Sequence, residues 1–209
     1  MTAAGSIEIP AGSLDAERSY RLLTGLVVPR PIAWVTTVSA DGVTNLAPFS
    51  AFTFVSPKPP MLAISVGRKG GTYKDTARNI LATEECVIHI ADTALLMPLH
   101  ASSEELPPET SEIEQLGLAT VPSRFVRPPR LTAPPVAMEC RLRHCIEFGE
   151  TRSRLLVGEV LTFHLREGLM QNGKIETEQL DPICRIAGPR YARLGEILTM
   201  ASIRQTSKS

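Results

Sequence analysis

Short apolar stretches separated by turn residues occupy much of the chain and predict β-strands. Pro31–Val38 and Val43–Phe49 flank Ser39-Ala40-Asp41-Gly42, whose Asp-Gly pair readily adopts the backbone torsions of a tight turn. These two segments are therefore predicted to form a β-hairpin. A second turn is expected at Asn172-Gly173. Further strands are predicted at Pro60–Val66, Cys86–Ile90, Val136–Phe148 and Leu155–Leu165.

Helical patterns are fewer and lie between the predicted strands. Thr72–Ala82 opens with Thr72-x-x-Asp75, a capping-box pattern in which the threonine hydroxyl caps the helix. Other helices are predicted at Leu14–Leu26, Asp92–Ser102 and Thr110–Leu118. Because strands outnumber helices, the sequence predicts a β-dominated fold.

The length of 209 residues suits one domain, so a single domain is expected over residues 1–209. Residues 99–135 are rich in Pro and Glu between apolar anchors and are predicted to be a surface excursion from that domain. Residues 205–209 are polar, and a frayed tail is expected there. The chain has no Gly-x-Gly-x-x-Gly fingerprint, which argues against a doubly wound dinucleotide fold.

The composition narrows the classes of partner. A formal net charge of zero argues against nucleic-acid binding, which depends on a basic surface. The longest apolar runs, Leu22–Val28 and Leu155–Val160, are far shorter than the ~20 residues that cross a bilayer. The first ten residues lack the features of a signal peptide. A cytoplasmic protein without membrane contact is therefore expected.

The cysteines and histidines show no metal-ligand spacing. The four cysteines include no Cys-x-x-Cys pair, and free thiols are expected in a reducing cytosol. In a strand over Val136–Phe148, Cys140 and Cys145 would point to opposite faces because one position is even and the other odd. Structural or surface roles are favoured for the histidines, including His89. No catalytic residue is predicted.

The segment from Ser65 to Thr76 carries a signal for anion binding. A strand ends, a cationic glycine-rich turn follows and a helix begins, so backbone N–H groups and the positive helix end point to one spot. The cations and hydroxyls of this segment match a phosphate monoester, and they are Arg68, Lys69, Lys74, Ser65, Thr72 and Thr76. Taken alone, the segment fits a solvated basic loop equally well.

The hairpin carries polar groups among apolar neighbours. Thr36, Thr37, Asn45 and Ser50 could hydrogen-bond a polyhydroxy chain, and Pro48 would leave backbone groups of the ladder free. Taken alone, however, this segment is explained better by a core tryptophan and by the strand propensity of threonine.

Several motifs follow one another along the chain in a particular order. They are Arg30–Thr37 (Arg-Pro-Ile-Ala-Trp-Val-Thr-Thr), Asp41-Gly42, Asn45–Phe52 (Asn-Leu-Ala-Pro-Phe-Ser-Ala-Phe), Ser65–Gly67, Lys74-Asp75-Thr76, Leu180–Pro182 and Gly188-x-x-Tyr191. Their order and spacing closely resemble the flavin-reductase-like, FMN-binding split-barrel family. The resemblance covers residues from about 20 to 195.

The resemblance implies a Greek-key split β-barrel that forms a homodimer, with one FMN per subunit at or near the interface. The isoalloxazine and ribityl groups would be contacted, largely through the backbone, by Trp34, Val35, Thr36, Thr37, Asn45, Leu46, Ala47, Pro48 and Ser50. The phosphate would be held by Ser65, Arg68, Lys74 and Thr76, with Gly67 in the same turn. For Arg30, contact with the FMN and a surface ion pair remain equally open.

The resemblance also implies redox chemistry carried by the flavin. Active reductases of the family pass hydride from NADH or NADPH to flavin and often supply a monooxygenase, whereas flavoredoxins carry electrons without that role. An NAD(P)H-dependent FMN oxidoreductase with a monooxygenase or electron-transfer partner is favoured. Reductases commonly have a histidine just before the segment matching Leu155–Val160, and residues 151–154 contain none. An FMN-binding electron carrier therefore stays as the alternative. A pyridoxamine-phosphate-oxidase-like or heme-handling barrel is disfavoured by the Lys-Asp-Thr helix start.

Overall fold

The computed structural model describes residues 5–201 and residue 203, and it is dominated by a seven-stranded antiparallel sheet. In chain order the strands are β1 Ala33–Val38, β2 Thr44–Phe49, β3 Phe52–Pro57, β4 Pro60–Val66, β5 Glu85–Ile90, β6 Val136–Phe148 and β7 Ser153–Leu165. Their spatial order is β2-β1-β5-β6-β7-β4-β3. The predicted β-dominated fold is confirmed, and so is the hairpin, which consists of β1 and β2.

The sheet curls because its two outermost strands are consecutive in the chain. A flat sheet of seven strands would be about 29 Å wide, at about 4.8 Å per strand. Only Ser50 and Ala51 join β2 to β3, and such a link spans roughly 10 Å. The Ser65 N–H donates to the Ala51 carbonyl at 2.8 Å, which fastens this link to β4. The two ends of the sheet therefore meet, as in the predicted split barrel.

Shorter elements surround the barrel. The helices are α1 Ala16–Leu26, α2 Asp75–Thr83, α3 Leu96–Ala101, α4 Glu112–Gln115 and α5 Thr177–Leu180, with 3-10 turns at Ala11–Ser13 and Thr93–Leu95. Three two-residue strands, Arg30–Pro31, Cys184–Arg185 and Tyr191–Ala192, form a small sheet. The remaining short pairs are Arg68–Lys69 with Thr72–Tyr73, Thr120–Val121 with Arg130–Leu131, and Met170–Gln171 with Lys174–Ile175. The last pair encloses Asn172-Gly173, which confirms the second predicted turn.

Two helix predictions were too long. The segment predicted as Asp92–Ser102 divides into a 3-10 turn and α3, which has Pro98 in its first turn. This is where a proline, lacking an N–H, is tolerated in a helix. The segment predicted as Thr110–Leu118 shortens to α4. Among the described residues, none of the helices is both long and apolar enough to cross a membrane.

The capping box predicted at Thr72 was wrong. Thr72 lies in a two-residue strand paired with Arg68–Lys69, and its Oγ1 donates to the Lys69 carbonyl at 2.8 Å. α2 starts three residues later, with Lys74 at the N-cap and no side chain capping it. The hydroxyl of Thr72 is thus satisfied inside the turn and does not cap the helix.

The prediction that Cys140 and Cys145 face opposite sides of a strand was also wrong. The pairing of β6 with β7 shifts twice, between Glu139 and Cys140 and between Leu142 and His144. Such bulges change the alternation of side chains along a strand. Both cysteines consequently pack against the same inner core. All four cysteines are free thiols.

The hairpin separates two hydrophobic cores. Odd-numbered residues of β1, such as Ala33 and Val35, face the inner core of the barrel. Even-numbered residues face an outer core, whose buried members are Ile32, Trp34, Leu46, Ala91, Leu99, Ile113, Leu131 and Ile183. Residues 99–135, predicted as a surface excursion, supply three of them and cover the outer face of the hairpin. The tail predicted to fray, residues 205–209, lies outside the described residues.

Candidate functional site

Two buried side-chain hydrogen bonds fasten α2 to the inner face of the hairpin. Asn45 Nδ2 donates to Thr76 Oγ1 at 3.0 Å, and Asn79 Nδ2 donates to Thr37 Oγ1 at 3.1 Å. All four side chains are buried. The structure therefore brings together three residues predicted for the cofactor site, Thr37, Asn45 and Thr76, and holds the start of α2 against β1 and β2.

The start of α2 combines features that suit an anion. The first N–H groups of a helix have no partner inside the helix, and they carry a partial positive charge. Lys74 is the exposed N-cap residue, and within residues 5–201 and 203 its ammonium forms no salt bridge. Thr76 Oγ1 accepts from Asn45, which leaves the hydroxyl proton of Thr76 available as a donor. Lys74 and Thr76 therefore fit a phosphate group at this end of the helix.

Ser65 and Gly67 lie at the rim of the barrel where β4 ends. The bond from the Ser65 N–H to Ala51 places Ser65 next to Ser50, at the far end of β2 from Asn45. Gly67 follows directly and is partly exposed. Thus β2 is bordered by α2 at one end and by the Ser65 rim at the other.

Arg68 lies in a different cluster from Lys74 and Thr76. Its guanidinium stacks on the Tyr73 ring at 4.4 Å, donates to Tyr73 Oη at 2.8 Å and lies 3.6 Å from Glu147. Arg154 stacks on the same ring at 4.5 Å and also approaches Glu147, at 3.4 Å. Arg152 donates to Glu147 at 2.8 Å and thereby lowers the pKa of that carboxyl. This arginine cluster was not predicted from the sequence, because Glu147 is distant from Arg68 along the chain.

Several predicted residues have side chains that face the cores. Val35 is buried in the inner core, and Ala47 packs partly against it. Trp34 is fully buried, with its Nε1 donating to Ser102 Oγ at 2.8 Å, and Thr36 Oγ1 donates to the Pro129 carbonyl at 2.8 Å. These side chains are committed to packing, so any ligand contact of Trp34, Val35 or Thr36 is made by the backbone.

Two ionisable residues beside the hairpin were not among the predicted site residues. Glu112 lies at the outer edge of β2, where its Oε2 accepts the Leu46 N–H at 2.8 Å. Burial raises the pKa of Glu112; the Leu46 N–H opposes this rise, and nearby Asp75 adds to it. No feature of the sequence distinguishes Glu112, which is buried, from Glu114, which is exposed.

His89 is the second such residue, and it is structural, as the sequence favoured. Its Nε2 accepts the Leu131 N–H at 3.0 Å, so its Nδ1 carries the proton and donates to the Trp34 carbonyl at 3.0 Å. Complete burial lowers its pKa to about 4, so the ring is neutral at pH 7. His89 thus joins β1, β5 and the segment that covers the hairpin.

A cavity of about 200 Å³ opens on the outer side of the hairpin, with Arg30, Pro48 and Ser50 in its wall. The guanidinium of Arg30 is held by backbone carbonyls, with Nη1 donating to Thr24 and Val27 and Nη2 donating to Ile186 at 3.0 Å. Its Nε lies 3.3 Å from Ser50 Oγ. Arg30 therefore ties α1 to the C-terminal strands, and among the described residues it has no carboxylate partner.

Comparison with known proteins decides the family. The sequence model of the flavin reductase like domain matches residues 25–178, most of the chain. The chain belongs to the flavin reductase-like family. The matched range contains all the predicted site residues, whereas Arg185 and Tyr191 lie beyond it.

Solved structures of the flavin reductase-like fold agree closely with this chain. Nitrilotriacetate monooxygenase component B from Bacillus cereus is 38% identical with a TM-score of 0.91, over 95% of this chain and 100% of that one. The 2-nitrobenzoate 2-nitroreductase NbaA of Pseudomonas fluorescens is 30% identical with a TM-score of 0.85, over 94% and 96%. The flavoredoxin of Desulfovibrio vulgaris (Miyazaki F) is 25% identical with a TM-score of 0.72, over 84% and 92%. A flavin-related redox protein is the function class that these similarities support.

Proposed function

We propose that this protein is an FMN-binding oxidoreductase that takes electrons from NADH or NADPH and passes them to flavin or to a downstream acceptor. The observation that carries the proposal is Lys74 at the start of α2, which forms no salt bridge with any residue that the structure describes. The Asn45–Thr76 bond fixes this helix to the hairpin. Similarity to a monooxygenase component, a nitroreductase and a flavoredoxin supports the redox class.

The phosphate of FMN would be held by Lys74, the first N–H groups of α2 and the Thr76 hydroxyl. Ser65 and Gly67 would border the cofactor at the opposite rim. The backbone of β2, from Asn45 to Pro48, would lie along the rest of the cofactor. When bound, the flavin supplies the hydride and electron chemistry. The protein orients it and excludes water from one side, because residues 99–135 and the outer core cover the other face of the hairpin.

An electron carrier without nicotinamide activity is the second candidate. It is favoured by the similarity to flavoredoxin and by the contacts that the arginines of the cluster already make with Glu147. Arg68, Arg152 and Arg154 all approach Glu147, so a nicotinamide pyrophosphate would have to compete with that carboxylate for them. A downstream monooxygenase or another electron-transfer protein would be the partner in either case.

The partner nearest to the cofactor would be a second copy of the chain. None of the residues of α1 is buried, and Tyr20, Leu23 and Leu26 are 68%, 61% and 75% exposed. On β3, Phe54 is 75% exposed. Stable homodimers bury apolar surface of this kind, so we propose a homodimer formed through these residues. The four free thiols fit a single-domain protein of the reducing cytoplasm.

An anaerobic titration followed at the flavin absorption band tests the proposal. The protein is expected to take up FMN with a dissociation constant in the micromolar range or below. Bleaching by NADH or NADPH supports the reductase, whereas bleaching by dithionite alone supports the electron carrier. A protein that takes up no FMN contradicts both.

A further inference from the structure

The cavity on the outer side of the hairpin has a positively charged wall. It lies between α1 and the C-terminal strands Cys184–Arg185 and Tyr191–Ala192. Among the described residues, no acidic side chain lines it. Its polar side chains are those of Arg30, Arg185, Tyr191, Ser50, Ser103, Tyr20 and Thr24. Because no carboxylate in the described wall balances the charges of Arg30 and Arg185, the cavity favours a negatively charged occupant.

Arg185 is held from one side only. Its Nη1 donates to Tyr191 Oη, and its guanidinium lies 4.6 Å from the centre of the Tyr191 ring. Tyr191 is fixed in turn by His100, whose Nδ1 lies 2.9 Å from Tyr191 Oη. Within the part of the chain that the structure describes, Nε and Nη2 of Arg185 form no hydrogen bond or salt bridge. These free donors form the planar fork that binds a carboxylate through two parallel bonds.

The other arginine adds charge but few donors. Arg30 uses four of its five N–H groups on the three carbonyls and Ser50, which leaves one. The cavity therefore offers one fork and one additional N–H. That set suits the single charge of a carboxylate better than the double charge of a phosphate monoester.

The size of the cavity limits the occupant. About 200 Å³ is below the roughly 300–1,000 Å³ of pockets that hold drug-sized ligands. A dinucleotide is too large, whereas a single ring bearing an acid group fits. We propose that this cavity binds a small organic carboxylate, with Arg185 as the residue that recognises the acid group.

The position of the cavity suggests what such a ligand does. Pro48, on β2, and Ser50, just after it, line the cavity, and both are among the residues predicted to contact the flavin. The carboxylate would thus lie beside the flavin, as an electron-accepting substrate or as a competitor of one. This role rests on the proposed function, whereas the binding itself does not.

Isothermal titration calorimetry of the full chain without added flavin tests the binding. Benzoate is the probe, and its neutral analogue benzamide is the control. Benzamide is expected to bind at least about tenfold more weakly, because it lacks the charge that the fork recognises. Equal affinities, or no binding of benzoate, would overturn the proposal without any variant. Inorganic phosphate that competes as strongly as benzoate would overturn the choice of a carboxylate.

Two matched variants locate the site. Arg185→Gln should weaken benzoate binding by about tenfold to a hundredfold, whereas Arg190→Gln, which removes an exposed charge from the same segment, should leave it unchanged. Equal effects of the two variants would show that general charge, not the fork, attracts the anion. Circular dichroism checks that both variants fold.

A further measurement separates this site from the flavin phosphate. Arg185→Gln should leave the ratio of FMN to riboflavin affinity unchanged. A selective loss of FMN would mean that the cavity holds the phosphate, and the carboxylate proposal would fail. If the unaltered protein binds benzoate but no flavin, the proposed function fails and the carboxylate site stands.

Discussion

Lowering the pH from 7 to 5 should destabilise the protein through one buried histidine. Both ring nitrogens of His89 are used in the neutral form, and burial lowers its pKa from 6.5 to about 4. The unfolded chain therefore takes up this proton near pH 6.5, whereas the folded protein resists it until about pH 4. Stability falls as the pH drops through this interval, because the unfolded state binds more protons there. The loss is about 2 kcal/mol at pH 5 and about 3 kcal/mol at pH 4.

Urea unfolding at pH 7, 6 and 5 measures this effect, and two variants isolate it. His89→Gln removes the titrating ring, so its stability should change less with pH even if it is lower at pH 7. His144→Gln, which removes an exposed histidine, should keep the wild-type dependence. If His89→Gln shows the same loss between pH 7 and 5 as the wild type, the neutral buried ring is not the cause.

Two carboxyl groups, those of Glu112 and Glu139, also make the stability depend on pH, and this limits the pH range of that experiment. Burial raises the pKa of Glu112, so its contribution has the opposite sign: it favours folding at low pH and is lost as the pH rises. Burial also acts to raise the pKa of Glu139, but the N–H groups of Arg124 and Phe125 lower it overall. Its stabilising contribution is lost below the ordinary value of 4.5. Between pH 5 and 7, the comparison of the histidine variants with the wild type is therefore decisive.

Three further changes test the site and the assembly. Lys74→Glu should weaken FMN binding at least about tenfold more than riboflavin binding, because it places a negative charge beside the phosphate. Lys58→Glu in the β3–β4 turn is the control. Equal losses of affinity for both ligands would place the phosphate elsewhere. Glu112→Ala should cost about 1–3 kcal/mol in urea unfolding because the Leu46 N–H loses its acceptor, whereas Glu112→Gln keeps an acceptor and should cost less. Leu23→Ser should shift the proposed dimer toward monomer in sedimentation, and an unchanged mass would exclude α1 from the interface.

The strands could be predicted where local chemistry determines them. Asp41-Gly42 forces a tight turn, and the apolar stretches on both sides became β1 and β2. β3 was missed because Pro57, followed by Pro59, argues against a strand, yet Pro57 ends β3, an edge strand, where proline is tolerated. The two bulges in the ladder between β6 and β7 were missed because an extra residue in a ladder leaves no mark in the apolar pattern.

The candidate site could likewise be predicted only in part. The family motifs placed Thr37, Asn45 and Thr76 in one site, and they meet in the structure. The environment of Arg68 depends on Glu147, a partner that only the folded barrel brings near. The roles of His89 and Glu112 depend on burial and on backbone partners from other segments, and no spacing in the sequence encodes those.

The alternation of the hairpin explains how one pair of strands can serve two ligands. Asn45 points to the inner side, where it fixes the start of α2, and Pro48 points to the outer side, where it lines the cavity. Three residues along a strand separate them by only about 10 Å. The two proposed sites would therefore share the backbone of β2, with the phosphate at one end of the strand and the acid group near the other. Evolution could change the acid that the Arg185 cavity accepts without altering the residues at the start of α2 that would hold the flavin phosphate.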